Sequence, residues 1–213
     1  MTAETDWTIR PREGLGLLEF GMSPAQVHSL SATYGTVTGR GADRVADDML
    51  LETLEMFGDA MSDDEKQAFI AAYADDGPPA DGVTETRGDL VLRYEADRLC
   101  DIMSAGSRHP MFLDGTDIFA LRGLETLELL ERLNDGPGRY ADTEAAFDEL
   151  AISLNGFAVS DPTAGALPLD DADERFRERT VTLRAVPYLP DREVHRFVRH
   201  SVLSVSDWPP RHD

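Results

Sequence analysis

The chain has 213 residues, 41% hydrophobic and 8% aromatic, an ordinary globular composition that excludes wholesale disorder. Twenty basic residues stand against 41 acidic ones, a formal net charge of −21. A surface this negative repels phosphate backbones and anionic lipid, which argues against nucleic acid and membranes and leaves basic proteins or cations as partners. The plain alternative is adaptation for solubility or salt. Cys100 is the only cysteine, so neither an internal disulfide nor a cysteine metal cluster can form. No apolar run approaches the ~18 residues of a membrane span. The opening MTAETDWTIRPREG lacks the basic-then-apolar order of a secretion signal, so the expectation is a cytoplasmic protein.

In chain order, a short strand is predicted around Trp7 to Ile9, interrupted by Pro11. Leu15, Leu17, Leu18 and Phe20 then read as a strand that stops at Gly21. Ser23 suits an N-cap, Pro24 the first helical position and Gln26 the capping-box position. Val27 and Leu30 share the inner face of that helix, which ends near Tyr34 with Gly35 as its cap.

From 42 to 81 the character changes. Val45, Met49, Leu50, Leu54 and Phe57 repeat at helical spacing, and Gly58 closes that helix. Ser62 caps a second helix, with Glu65 at the capping-box position and Phe69, Ile70 and Tyr73 on its apolar face. Twelve carboxylates face only Arg44 and Lys66 here, a net charge of −10 on one segment. The stretch reads as an acidic helical insertion, either a solvated face or an interaction surface built from Asp47, Asp48, Glu52, Glu55, Asp59, Asp63 and Asp64.

A β-meander is predicted next. Leu90, Leu92 and Tyr94 alternate with Val91, Arg93 and Glu95, and the chain turns at Ala96-Asp97 and returns through Leu99, Cys100, Ile102 and Met103. Asp114-Gly115 marks a further hairpin between Met111 to Leu113 and Ile118 to Leu121. FALRGLETLELLERLNDG then repeats the strand, glycine, helix order of the opening, with Leu127, Leu130 and Leu133 on one face. An offset of 103 superposes Leu18 on Leu121, Val27 on Leu130 and Leu30 on Leu133, the spacing of an internal duplication. A short helix is predicted from Thr143 to Leu150. Strands at Ile152 to Leu154 and Phe157 to Val159 flank Asn155-Gly156, read as a hairpin turn. Thr180 to Val186 alternates as a strand, and Val194 to Val205 is the last one, although its start also suits a helical turn.

The corner GLGLLEFGMSPAQVHSL, followed by LVLRYEADRLCDI, resembles an arrangement in which a strand and a Gly-Met-Ser helix start precede a β-meander. Gly21, Met22, Ser23 and Val27 carry the resemblance. It is to β-lactamase-inhibitor-protein-like domains, to the small outer-membrane-assembly lipoproteins and to bacterial proteins of immunity type. It covers about a third of the chain and implies a scaffold used for protein binding. This chain departs from those secreted relatives in having no signal, lipobox cysteine or disulfide, and in carrying the acidic hairpin.

No phosphate-binding loop, nucleophile elbow or HExxH pair is present, and Gly14-x-Gly16 with Gly21 does not space as a dinucleotide fingerprint. His28 reads as a surface or boundary residue. His195 and His200 fall on opposite strand faces, a poor metal pair. Cys100 reads as a small buried hydrophobe, and a pairing with His109 would need both to converge in the fold. Asp170, Asp171, Asp173 and Glu174 lack the glycine and terminal Glu of a calcium loop, so weak cation binding is the most they suggest.

The sequence therefore predicts an α+β protein, an antiparallel β-meander sheet packed by helices on one side. Residues 1–121, with the insertion at 42–81, form one half and 122–213 the other, as two related halves or one domain. The expected function is a non-catalytic protein-binding module of immunity or inhibitor type with a basic protein partner. No catalytic residue, cofactor or metal is assigned. The alternative is a small-ligand-binding protein or an enzyme whose site converges only in the fold.

Overall fold

A computed structural model of the chain describes residues 6–43, 54, 62, 64–68, 82–105, 109–161, 165–187 and 194–203. The chain opens on a three-stranded ribbon, β1 (Ile9–Arg10), β2 (Gly14–Leu15) and β3 (Leu18–Glu19), with Ile9 opposite Leu15 and Leu15 opposite Leu18. The single strand expected from Leu15 to Phe20 is thus folded in two. The cause is Gly16, at φ 54°: a Cβ there would stand 2.0 Å from the Asp6 carbonyl oxygen, so only glycine turns the chain at this point.

The capping box forms as the sequence predicts. Gln26 N–H donates to Ser23 Oγ at 3.3 Å and Ser23 N–H to Gln26 Oε1 at 2.9 Å, starting α1 (Pro24–His28). Val27 is fully buried, while Leu30 breaks the helix into a second short one, α2 (Ser31–Tyr34), which Gly35 closes at φ 81°. The buried Tyr34 hydroxyl accepts from Leu17 N–H at 2.7 Å and donates to the Asp6 carbonyl at 2.8 Å, tying α2 to the ribbon.

The sheet follows. Strands β4 (Gly39–Ala42), β5 (Val83–Arg87), β6 (Leu90–Glu95) and β7 (Arg98–Ala105) make the expected meander. Ala96 and Asp97, at φ 48° and 56°, form the two-residue turn whose twist matches the flanking strands. β8 (Phe112–Leu113) and β9 (Thr116–Asp117) close around Asp114-Gly115, a tighter hairpin than the sequence suggested. Helix α3 (Gly123–Leu133) buries Leu127 and Leu130, with Leu133 at the edge of the same core.

Two expectations fail beyond α3. The segment read as a helix from Thr143 contains a strand, because β10 (Gly138–Ala141) and β11 (Glu144–Phe147) pair across Asp142-Thr143 and the small Ala145 and Ala146 fit between strands. β12 (Ile152–Asn155) pairs with β11, not with β13 (Ala158–Asp161), which forms a separate ribbon with β14 (Gly165–Pro168). Gly156, at φ 79° and with its Cβ position 2.5 Å from the Arg175 carbonyl oxygen, turns the chain away instead of folding it back. After α4 (Glu174–Arg177), β15 (Thr180–Arg184) inserts between β12 and β7. A 3-10 turn at Val194–Arg196 then leads into β16 (Val198–His200).

The resulting antiparallel sheet has nine strands in the order β16-β10-β11-β12-β15-β7-β6-β5-β4, and the fold is α+β. Five residue pairs from Thr180–Ala105 to Arg184–Asp101 join the two halves of the chain. One buried cluster spans both, running from Trp7, Val27 and Tyr34 through Leu92 and Ile102 to Leu127, Leu154, Phe157 and Leu183. Of the acidic segment 42–81, residues 42, 43, 54, 62 and 64–68 are described, and Ala42 ends β4. Leu54 is buried, and Ser62 and Glu65 form the predicted capping box, with Glu65 N–H donating to Ser62 Oγ at 3.3 Å. No described helix is long and apolar enough to cross a membrane.

Candidate functional site

Strand alternation gives the sheet two faces. Leu90, Leu92, Ile102, Ile152, Leu154, Val181 and Leu183 point to the core shared with α1, α2 and α3. Their neighbours point the other way, to an open face that none of those three helices packs against. Register aligns Arg139, Ala146, Ser153, Thr182, Met103, Val91 and Thr86 in one row across seven strands of this face. Ala, Ser and Thr in the middle of the row are short, which leaves a recess of about 260 Å³ floored by Ala146, Ser153 and Thr182 and bounded by Met103, Glu144 and Phe197.

Ion pairs border the recess. Arg184 pairs with Asp101 at 3.2 Å and donates to Ser153 Oγ at 2.9 Å. Arg93 holds Asp43 at 2.6 Å, Glu95 at 2.7 Å and Asp101 at 3.3 Å. Burial works against the Arg93 guanidinium, yet the hydrogen bond it donates to Asp43 and the neighbouring charges raise its pKa above the ordinary arginine value. On the other side Arg139 grips Asp148 through two nitrogens, at 2.7 and 2.9 Å, Arg199 joins Asp148 at 3.4 Å, and Arg196 pairs with Glu144 at 3.2 Å. The Phe197 ring lies 4.9 Å from the Arg139 guanidinium carbon. These pairs set five arginines against five carboxylates, so the ion pairs described along this border balance in a chain carrying −21.

A second cleft, of about 340 Å³, lies beside α1 and is lined by Pro24, His28, Val37, Arg40, Glu85 and Arg87. Its charged floor is engaged internally. The buried Arg87 donates to Glu85 Oε2 at 3.0 Å, to the Gly35 carbonyl at 3.0 Å and to Ser31 Oγ at 3.2 Å. Tyr94 O–H donates to Glu85 at 3.4 Å, and Arg40 reaches the same carboxylate at 3.6 Å. Burial first, and then the Glu85 charge, raise the Tyr94 phenol above its usual range. This set anchors α2 onto β5.

The residues singled out in the sequence are scattered. Asp47, Asp48, Glu52, Glu55, Asp59 and Asp63 lie outside the described residues, and Asp64 is exposed on the helical turn 64–68. Cys100 faces Arg93 on β7, with S–H donating to the Arg93 carbonyl at 3.2 Å; burial and the adjacent Asp101 push its thiol up to about 11. His109 is exposed and stacks on Trp7, centroids 4.3 Å apart, so the two have different neighbours. His28 is exposed at the end of α1, and His200 sits edge-on to Tyr140. Asp173 caps α4 and pairs with Arg175 at 2.6 Å, which holds its carboxyl at about 2. No cluster of three or more His, Cys, Asp or Glu with metal-binding geometry occurs among the described residues.

Sequence reasoning missed Glu85, Arg87, Glu131, Arg139, Arg184 and Phe197. One signal was present: Glu85 and Arg87 share strand phase with Leu90 and Leu92 opposite them, so an opposite-charge pair on the inner face was readable once the register was known. No known protein family, curated protein or solved structure matches the chain.

Proposed function

We propose that the protein is a non-catalytic binding module that docks a protein partner on the open face of its sheet. The observation that carries this reading is the division of the sheet: helices α1, α2 and α3 share the core of one face, while the other presents a charge-balanced row of short side chains with a recess at its centre. The field of a −21 chain favours a basic partner at long range, and the ion-paired face then makes contact without burying an unpaired charge. The resemblance of the opening corner to inhibitor-like and immunity-type scaffolds points the same way, and a cytoplasmic location accords with it.

The test is to isolate a partner by cross-linking to the intact chain, purify it, and titrate it against wild type and Thr182→Arg. The reading expects association that slows with salt and a variant at least about tenfold weaker, or about 1.4 kcal/mol. Equal affinity, with the variant folded by circular dichroism, overturns the face assignment.

The recess itself favours a second reading, a small-molecule site lined by Ser153, Asn155, Thr180 and Thr182. Ligand-observed NMR with a fragment set separates the two. Fragments that bind wild type and are lost on Thr182→Arg, with no partner protein captured, would favour the small molecule.

A further inference from the structure

One wall of the recess belongs to a different kind of segment from its floor. Phe197 precedes β16, an edge strand held to β10 by only three residue pairs, Gly138–His200, Arg139–Arg199 and Tyr140–Val198. Val198 is 56% exposed and Arg199 is exposed, so the strand buries little of its own. What fixes it lies just beyond. Glu131 on α3 is 0% exposed, and its carboxylate accepts from Ser201 Oγ at 2.8 Å, Val202 N–H at 3.0 Å and Leu203 N–H at 3.3 Å. The same carboxylate takes Tyr140 O–H at 3.1 Å and Gly138 N–H at 3.5 Å, both from β10, the strand that β16 pairs with. Leu203 is buried, and the His200 ring fits against Gly165, where a Cβ would meet it at 2.2 Å.

We propose that residues 197–203 form a releasable strap at the sheet edge beside the recess, latched by Glu131 from the core face. The latch is one carboxylate gathering donors from both the strap and the neighbouring strand β10, so the loss of one group loosens residues 201–203. A short edge pairing, the exposed Val198 and Arg199 and reliance on hydrogen bonds to one carboxylate make this a unit that opens below the threshold of global unfolding. Opening carries Phe197 away from Arg139 and uncovers Ala146, which is 4% exposed although it lies on the open face. The recess therefore has two shapes, a narrow one with the strap seated and a wider one with it released, whichever class of occupant it takes.

Hydrogen exchange by mass spectrometry or NMR on the full chain tests this with Glu131→Gln and Ser201→Ala. Hydrogen bonds to a buried carboxylate are strong enough that Glu131→Gln should accelerate exchange at Val202 and Leu203 by about tenfold or more. Ser201→Ala, which leaves Glu131 its donors on β10, should accelerate the same amides less. The core amides of β7 and β15 should keep their wild-type rates in both variants. A second readout places a thiol on the recess floor, Ala146→Cys in a Cys100→Ser background. Its labelling by a maleimide should be slow with Glu131 present and several-fold faster with Glu131→Gln. Unchanged exchange at Val202 and Leu203, uniform acceleration of the whole sheet, or a labelling rate indifferent to Glu131 would each overturn the strap.

Discussion

Glu85 and Glu131 are the two buried carboxylates among the described residues, and they are kept in the interior by opposite means. Glu85 is met by cations: Arg87 at 3.0 Å, two residues along the same strand, and Arg40 at 3.6 Å. Glu131 is met by neutral donors, three from the chain after β16 and two from β10, with no ion pair among the described residues. Each also receives a tyrosine hydroxyl, Tyr94 for one and Tyr140 for the other. The difference teaches where each charge can act. The Glu85–Arg87 pair ties β5 to β4, β6 and the end of α2, all packed elements, so it is architecture. Glu131 gathers donors from the segment after β16, so its loss is felt there, in the segment that walls the recess.

The largest effect should come from breaking the ion pair on one side only. Arg87→Met should destabilise by about 3–5 kcal/mol, because it strands the Glu85 charge and frees the Gly35 carbonyl and Ser31. Replacing the two together, Glu85→Leu with Arg87→Met, should cost less than the single change, since no buried charge is left without its partner. Urea denaturation at constant m value reads both. A double variant less stable than Arg87→Met would mean that Glu85 and Arg87 act independently, and the contrast with Glu131 would fail.

Glu131→Leu comes next, at about 2 kcal/mol. Each buried donor it orphans is worth about 1–3 kcal/mol, yet the total is capped because the strap can swing out and hydrate its own N–H groups. The expected signature is a modest drop in midpoint with local rather than global loss of protection. Tyr94→Phe and Tyr140→Phe should each cost about 1 kcal/mol, the ordinary value of one hydrogen bond. Only the second should also loosen residues 198–203, because Tyr140 pairs with Val198 of β16 and shares Glu131 with the segment after it.

Much of the first half was legible because its signals are local. The Ser23-Gln26 box, the Ala96-Asp97 and Asp114-Gly115 turns and the alternation of Leu90 to Glu95 are set by a few adjacent residues. Glu-Ala-Ala-Phe at 144–147 suits a helix in isolation, and its pairing with β10 on one side and β12 on the other makes it a strand. Asn155-Gly156 looks like a hairpin, but the neighbouring Arg175 backbone sends the chain elsewhere. The recess was out of reach for a deeper reason. Its row joins Met103, Ala146, Ser153 and Thr182 through pairings 7, 29 and 79 residues apart in sequence, and no local pattern encodes the two longer registers.

The finest test of the comparison is an order of titration. Burial, then the charge of the adjacent glutamate, raise both the Tyr94 and the Tyr140 phenols above the ordinary tyrosine range. At Tyr94 the cations Arg87 and Arg40 work in the opposite direction, whereas at Tyr140 only burial and Glu131 act. Tyr94 should therefore ionise before Tyr140, and both after a free phenol at about 10. The sign for stability follows from linkage. A folded pKa above the unfolded one means that the unfolded chain releases its proton first, so the contribution is complete below about pH 10 and is lost as pH rises toward the folded value. Tyrosinate absorbance in wild type, Tyr94→Phe and Tyr140→Phe assigns the two steps. Of the transitions of Tyr94 and Tyr140, removing Tyr94 should delete the earlier and removing Tyr140 the later, while the Tyr34 phenol, raised by its own burial, titrates in both variants. The reverse order would show that the arginines around Glu85 do not shield Tyr94, and the distinction between an ion-paired and a hydrogen-bonded carboxylate would lose its electrostatic basis.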